Sequence, residues 1–267
     1  MGDFRNRGLS RRRARWERCR NRDKLAQMQN PYDRLIIALD TPEVAAATGW
    51  VERTGGRAGA YKLGLEFLHA AGPQDVRDVQ AAGARKLFLD VKLSDIPNTV
   101  VGAVRSIGTL QPWMINVHAM CGAAAMRAAR DAAEQQAEEL GVARPLVIAV
   151  TVLTSLDHSA LEAIGVPSTP SDAVRRLAVL ARESGMDGVV ASPLEIGVIR
   201  EACGPDFVIV TPGIRPAGVG LNDQARVATP AAAIQAGADY LVLGRAVTAA
   251  ADPTAALDAI AAEVAAV

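Results

Sequence analysis

The sequence predicts an α/β chain folded as one (β/α)8 barrel, a TIM barrel, behind an arginine-rich N-terminal extension. Two observations carry that prediction. From Pro31 onward, short apolar runs alternate with alanine-rich helical stretches, eight such units in about 235 residues, close to 30 each. The runs are rich in Val, Ile and Leu and do not alternate strictly with polar residues, as expected of parallel strands covered on both faces. An open doubly wound sheet is the structural alternative. It usually has fewer strands, and no GxGxxG follows a strand here.

The predicted strands are 35–39, 58–63, 86–91, 113–117, 146–153, 188–191, 207–210 and 240–243. A helix over 42–53 opens with Thr41-Pro42, a cap followed by proline at the first helical position. Helices over 75–82, 123–140, 171–184 and 222–236 each stop at a glycine: Gly83, Gly141, Gly185 and Gly237. A helix over 254–264 closes the chain. No linker interrupts 31–267, which therefore reads as one domain, with 1–30 as a separate basic extension. The longest irregular stretch, 155–170, follows the fifth strand, and loops of that length inside a compact domain are often functional.

Composition narrows the class. Half of the 267 residues are hydrophobic but only 4% are aromatic, so the core must be built from aliphatics and alanine. No run approaches the roughly 20 apolar residues that span a bilayer, which speaks against a membrane protein. Cys19, Cys121 and Cys203 form no CxxC pair and no disulfide framework, which suits a reducing, cytoplasmic location. Residues 1–30 hold ten of the 29 basic residues and three of the 29 acidic ones, a charge of +7, leaving −7 on the remainder. An acidic body disfavours nucleic acid as a partner. The extension has no apolar stretch after its charges, so it is not a secretory signal. It reads as a disordered, solvated tail, or as sequence upstream of a start at Met28. Charge alone would let it touch RNA or an anionic membrane.

In a (β/α)8 barrel the functional groups sit at the C-terminal ends of the strands. Those positions hold Asp40, Lys62, Asp90 with Lys92, His118, Thr154, Ser192, the loop 211–215 and Gly244-Arg245. Two aspartates and two lysines on the first three strand ends form a dense cluster, costly unless paired. Asp90 and Lys92 are two apart and share a face of a strand. Asp95 falls beyond the strand, in a loop stiffened by Pro97. Carboxylate, ammonium and carboxylate are thus spaced to meet one small ligand; the bland alternative is a surface ion-pair cluster. The turn Thr211-Pro212-Gly213 and the Gly244-Arg245 helix start occupy the usual barrel phosphate site, and Arg245 adds a fork suited to phosphate oxygens. His118 reads as a satisfied structural group. His69 and His158 lack metal-like neighbours, and no His/Cys/carboxylate cluster has zinc spacing.

Taken together, these segments resemble the orotidine 5′-phosphate decarboxylase family. The resemblance runs through 36–40, 61–64, 87–99, 116–118, 150–155, 210–215, 222–224 and 242–245, in family order. The segment Asp90-x-Lys92-x-x-Asp95-Ile96-Pro97-x-Thr99 is its most specific part. The resemblance implies conversion of orotidine 5′-phosphate to UMP and CO2 without a cofactor or metal. It implies Lys92 as proton donor to C6, Asp90 beside the substrate carboxylate, and Lys62 and Asp95 completing an alternating charge network. Asp40 and Lys62 would bind the ribose, Thr154 the pyrimidine edge, and Gln224 both base and phosphate. Arg215, Gly244 and Arg245 would hold the phosphate. It also implies a homodimer in which Asp95 and Thr99 cross to the partner's site, with the loops after Thr154 and Arg215 as lids.

Two rival readings differ in chemistry. A Mg2+-dependent sugar-phosphate aldolase of the related hexulose-phosphate synthase type shares the Asp-x-Lys-x-x-Asp strand but passes through an enediolate. The continuation Ile96-Pro97-x-Thr99 and the segment 153–155 favour the pyrimidine nucleotide. A non-catalytic nucleotide-binding barrel has no use for Asp90 and Lys92 side by side at a reacting carbon.

Overall fold

The computed structural model describes residues 30–216 and 228–267. The basic extension, Met28, Cys19 and Gln224 lie outside the described residues, as does the 222–227 part of the helix expected over 222–236. Eight parallel strands close into a barrel in sequence order: β1 Leu35–Ala38, β2 Ala60–Leu63, β3 Leu87–Leu93, β4 Met114–His118, β5 Leu146–Val150, β6 Gly188–Val190, β7 Val208–Thr211 and β8 Tyr240–Leu243. Pairing of β1 with β8, Leu35 opposite Leu241 and Ile37 opposite Leu243, shuts the ring. Among the described residues no helix is long and apolar enough to cross a membrane.

Strand parity separates two cores. Ile36, Ala38, Ala60, Phe88, Met114, Ile148, Val208, Val210, Tyr240 and Val242 pack together inside the ring. The alternate residues, such as Leu35, Ile37, Tyr61, Leu89, Ile115 and Ile209, face the helices in a larger outer cluster. Both faces are therefore buried, which explains why the runs do not alternate in polarity. With so few aromatics, tight approaches are made by small residues. At Gly188 in β6 an added Cβ would lie 2.2 Å from the Val208 carbonyl oxygen and 2.5 Å from its Cβ.

The rim at the start of the strands is tied by a repeated device. Asp187, just before β6, accepts both Arg144 guanidinium nitrogens at 2.9 Å and the Val147 N–H of β5. Asp239, just before β8, accepts Arg200 and the Ile209 N–H of β7. Each carboxylate accepts a backbone N–H of the neighbouring strand and is paired with an arginine, through both terminal nitrogens at Asp187 and through one at Asp239.

The expected glycine stops all have positive φ, and Gly141 adopts the left-handed conformation that ends the helix Gly122–Leu140. Three expectations need correction. The first helix is Val44–Arg53, because Thr41 Oγ1 accepts from Glu43 N and holds a turn ahead of it. Pro97 does not stiffen a loop: it is the first residue of the helix Pro97–Gly108, leaving 94–96 as the connection. The stretch 155–170 is not wholly irregular, since Asp157 caps the helix His158–Ala163 by accepting from Ala160 N.

The close approach at Gly188 yields a test. Gly188→Ala forces β6 and β7 apart and lowers stability by about 1–3 kcal/mol. A urea midpoint equal to that of the parent protein would refute the close packing.

Candidate active site

Asp40, Lys62, Asp90, Lys92, Thr154, Arg215, Gly244 and Arg245 all line one cavity of about 310 Å³ at the C-terminal mouth of the barrel. Its floor is the apolar interior at Ala38, Phe88, Val150, Val190 and Val242. Parity places Lys62 and Asp90 one step above Ala60 and Phe88 on the same inward face.

The charged groups form an unbroken line. Asp40 Oδ1 lies 3.2 Å from Lys62 Nζ, which lies 3.2 Å from Asp90 Oδ2. Asp90 Oδ1 lies 2.7 Å from Lys92 Nζ. Signs alternate along the line, so each inner charge has an opposite charge on both sides. Burial alone would raise the pKa of Asp90, but Lys62, Lys92 and the hydrogen bond from Asn116 outweigh it and hold the carboxyl below its ordinary value. Burial would likewise lower Lys62, but Asp90 and Asp40 overcome that and keep it raised. Both groups are charged across the neutral range.

Lys92 does not occupy a regular strand position. Its φ is 47°, in the left-handed region. The β3–β4 register runs from Leu89 opposite Ile115 to Leu93 opposite Val117, so residues 90–92 face the single residue Asn116. Asn116 is fully buried; its Oδ1 accepts from Lys92 N at 2.7 Å and its Nδ2 donates to Asp90 Oδ1 at 2.6 Å. Sequence reasoning gave Asn116 no role. The signal was a lone amide inside an otherwise apolar strand.

The opposite side of the cavity carries Arg215, Gly244 and Arg245. Arg215 N donates to Ala228 O, which fixes the chain after β7. Arg215 Nε is buried with no hydrogen-bond partner among the described residues, a donor that an anionic oxygen would satisfy. Gly244 ends β8 and immediately precedes the helix Arg245–Thr248, with open space where a side chain would be. Thr154 stands on the rim after β5.

Asp95 and Thr99 are exposed and do not line the cavity of their own chain. Asp95 Oδ1 accepts from Ile96 N at 2.6 Å. His118, at the end of β4, accepts from Met120 N through Nδ1. Burial and the neighbouring Lys92 charge lower its pKa, so the ring is neutral.

Fold and site together define a class: a barrel enzyme that sets an alternating line of carboxylates and ammonium groups opposite the strand-end loops that carry Arg215, Gly244 and Arg245. Comparison with known proteins names the family. The profile of the "Orotidine 5′-phosphate decarboxylase / HUMPS family" matches residues 33–260. An orotidine 5′-phosphate decarboxylase of Moorella thermoacetica is 54% identical over 233 residues, 87% of this chain and 92% of that one. One from Rhodospirillum rubrum is 50% identical, over 90% of this chain and 96% of that one. The crystal structure of the Lactobacillus acidophilus orotidine 5′-phosphate decarboxylase superposes with a TM-score of 0.77 at 34% identity, covering 86% of this chain and 98% of that one. The chain belongs to the orotidine 5′-phosphate decarboxylase / HUMPS family.

The paired carboxylate yields a pH-dependent prediction. Asp90→Asn leaves two ammonium groups without the anion between them and destabilises the protein by about 3 kcal/mol at pH 7. The folded pKa of Asp90 is depressed, so its contribution is whole above the unfolded carboxylate pKa and is lost as pH falls through the folded value. Urea unfolding should therefore show the gap between parent and variant narrowing below about pH 4. A gap that widens in acid would contradict the sign.

Proposed function

We propose that this protein decarboxylates orotidine 5′-phosphate to UMP and CO2, the closing step of pyrimidine nucleotide synthesis. The observation that carries the reading is the line Asp40–Lys62–Asp90–Lys92 along one wall of a cavity whose other side carries Arg215 and Arg245. The phosphate goes to Arg215, Gly244 and Arg245. The ribose hydroxyls go to Asp40 and Lys62, and the pyrimidine edge to Thr154. Gln224, outside the described residues, contacts base and phosphate.

In the reaction the C6–carboxylate bond breaks and its electron pair stays on C6. No adjacent group delocalises that pair, so the protein must stabilise it electrostatically. The Lys92 ammonium faces C6 and then gives it a proton. Solvent returns a proton to the amine after product leaves. Asp90 repels the substrate carboxylate until CO2 departs, and it holds Lys92 charged and in place. No cofactor takes part in this scheme. Phosphate binding far from C6 can be spent on closing the loop after Thr154 over the base.

A homodimer completes the site in this reading. Asp95 and Thr99 face away from their own cavity. Leu65, Ile96 and Met120 are large, exposed apolar residues that closely follow the adjacent strands β2, β3 and β4 in the chain. An exposed apolar arc beside outward-facing polar groups suits a second copy of the chain. That copy would insert Asp95 and Thr99 into the neighbour's cavity.

The reading is tested with orotidine 5′-phosphate and loss of orotate absorbance. Lys92→Ala should cut turnover by at least about 10⁴-fold, because both proton donor and facing charge go. It should still bind UMP, whose phosphate and ribose contacts remain. Near-normal decarboxylation by this variant would sink the mechanism. EDTA should leave the parent rate unchanged; chelator-sensitive turnover of a sugar phosphate would favour the Mg2+-dependent aldolase instead.

The shared site has its own test. In a hybrid of Lys92→Ala and Asp95→Ala subunits, one site inherits both defects and the other neither. Random exchange makes about half the dimers hybrid, so mixing should restore about a quarter of parental activity. If mass spectrometry shows exchange and no activity returns, Asp95 serves its own subunit.

A further inference from the structure

We infer that Asn116 is a positioning residue that holds the proton donor and its carboxylate in register; the inference rests on the function proposed above. Residues 90–92 bulge from the β3–β4 ladder, and Lys92 sits at φ 47° without being glycine. Such a conformation is strained for a residue with a Cβ and persists only where its surroundings enforce it. The enforcing group is one side chain. Asn116 Oδ1 accepts the Lys92 N–H that the bulge removes from the ladder, and Asn116 Nδ2 donates to Asp90 Oδ1. An N–H can only donate and a carboxylate can only accept, so the amide has one allowed orientation. Full burial of Asn116 leaves water no access to replace it.

The consequence is geometric. Asp90 Oδ1 is shared by Lys92 Nζ and Asn116 Nδ2. The amide therefore anchors Lys92 twice: directly at its backbone, and through Asp90 at its ammonium. Without it the strain at Lys92 can relax to an ordinary extended strand, which re-aims the side chain away from the reacting carbon. Asn116 reaches neither end of the phosphate grip and does not line the cavity, so ligand affinity does not depend on it.

Two variants test this. Asn116→Ala should lower kcat by about 10²-fold, the size of effect expected from a misplaced catalytic group. Its Kd for UMP should stay within about threefold of the parent. Asn116→Asp keeps the acceptor for Lys92 N but sets a second carboxylate against Asp90. Its activity should rise as pH falls, because the new carboxyl must be protonated to donate, and the parent should show no such acid-side gain. An activity-independent readout separates this inference from the proposed reaction. Hydrogen exchange at the Lys92 amide, followed by NMR, should be slow in the parent and at least about tenfold faster in Asn116→Ala. If that exchange is unchanged, the anchoring is wrong whatever the substrate. If exchange accelerates while kcat is unaltered, or if kcat and UMP affinity fall together, Asn116 is not a positioning residue.

Discussion

The site depends on the cost of burying one carboxylate. Asp90 stands on the inner wall of the barrel, above a layer of aliphatic side chains and Phe88, where an unpaired anion would be expelled or protonated. It is kept ionised by donors from three strands: Lys62 from β2, Lys92 from its own β3 and Asn116 from β4. Each donor is in turn constrained by that need. Lys62 is drawn to Asp90 and steadied by Asp40 from beyond β1; Lys92 is bent out of a regular strand; Asn116 is fixed in a single orientation. The electrostatic preorganisation that decarboxylation would use is therefore the same arrangement that makes the charge tolerable in the folded state.

Much of the fold was legible because a doubly covered parallel strand leaves a plain mark, a short apolar run without alternation. Glycine stops at Gly83, Gly141, Gly185 and Gly237 marked helix ends for an equally local reason. Strand ends could be read as a set once eight units were counted, and that placed Asp40, Lys62, Asp90, Lys92, Arg215 and Arg245 around one mouth. What stayed illegible was non-local. The parity rule put Asp90 and Lys92 on one face, but the contact is made through a bulge and a left-handed lysine that parity does not contain. Asn116 acts through residues 24 and 26 positions away, so nothing beside it in the chain reveals its task. Pro97 looks the same in sequence whether it stiffens a loop or starts a helix. The two struts at the opposite rim, Arg144 to Asp187 and Arg200 to Asp239, were missed for the same reason: their partners are about 40 residues apart.

Closure of the ring by β1 and β8 has a consequence for how the protein is held shut. The two pairing strands come from opposite ends of the described barrel, so theirs is the longest-range strand pairing in it and closes the longest loop. Asp40 and Lys62 lie on one side of that seam, and Gly244 and Arg245 on the other. A ligand spanning both sides would tie the first strands of the barrel to the last. Saturation at 100 times its dissociation constant would add about 2.7 kcal/mol to folding stability. Such a ligand would be a fastener as well as a reactant, joining strands from opposite ends of the described barrel.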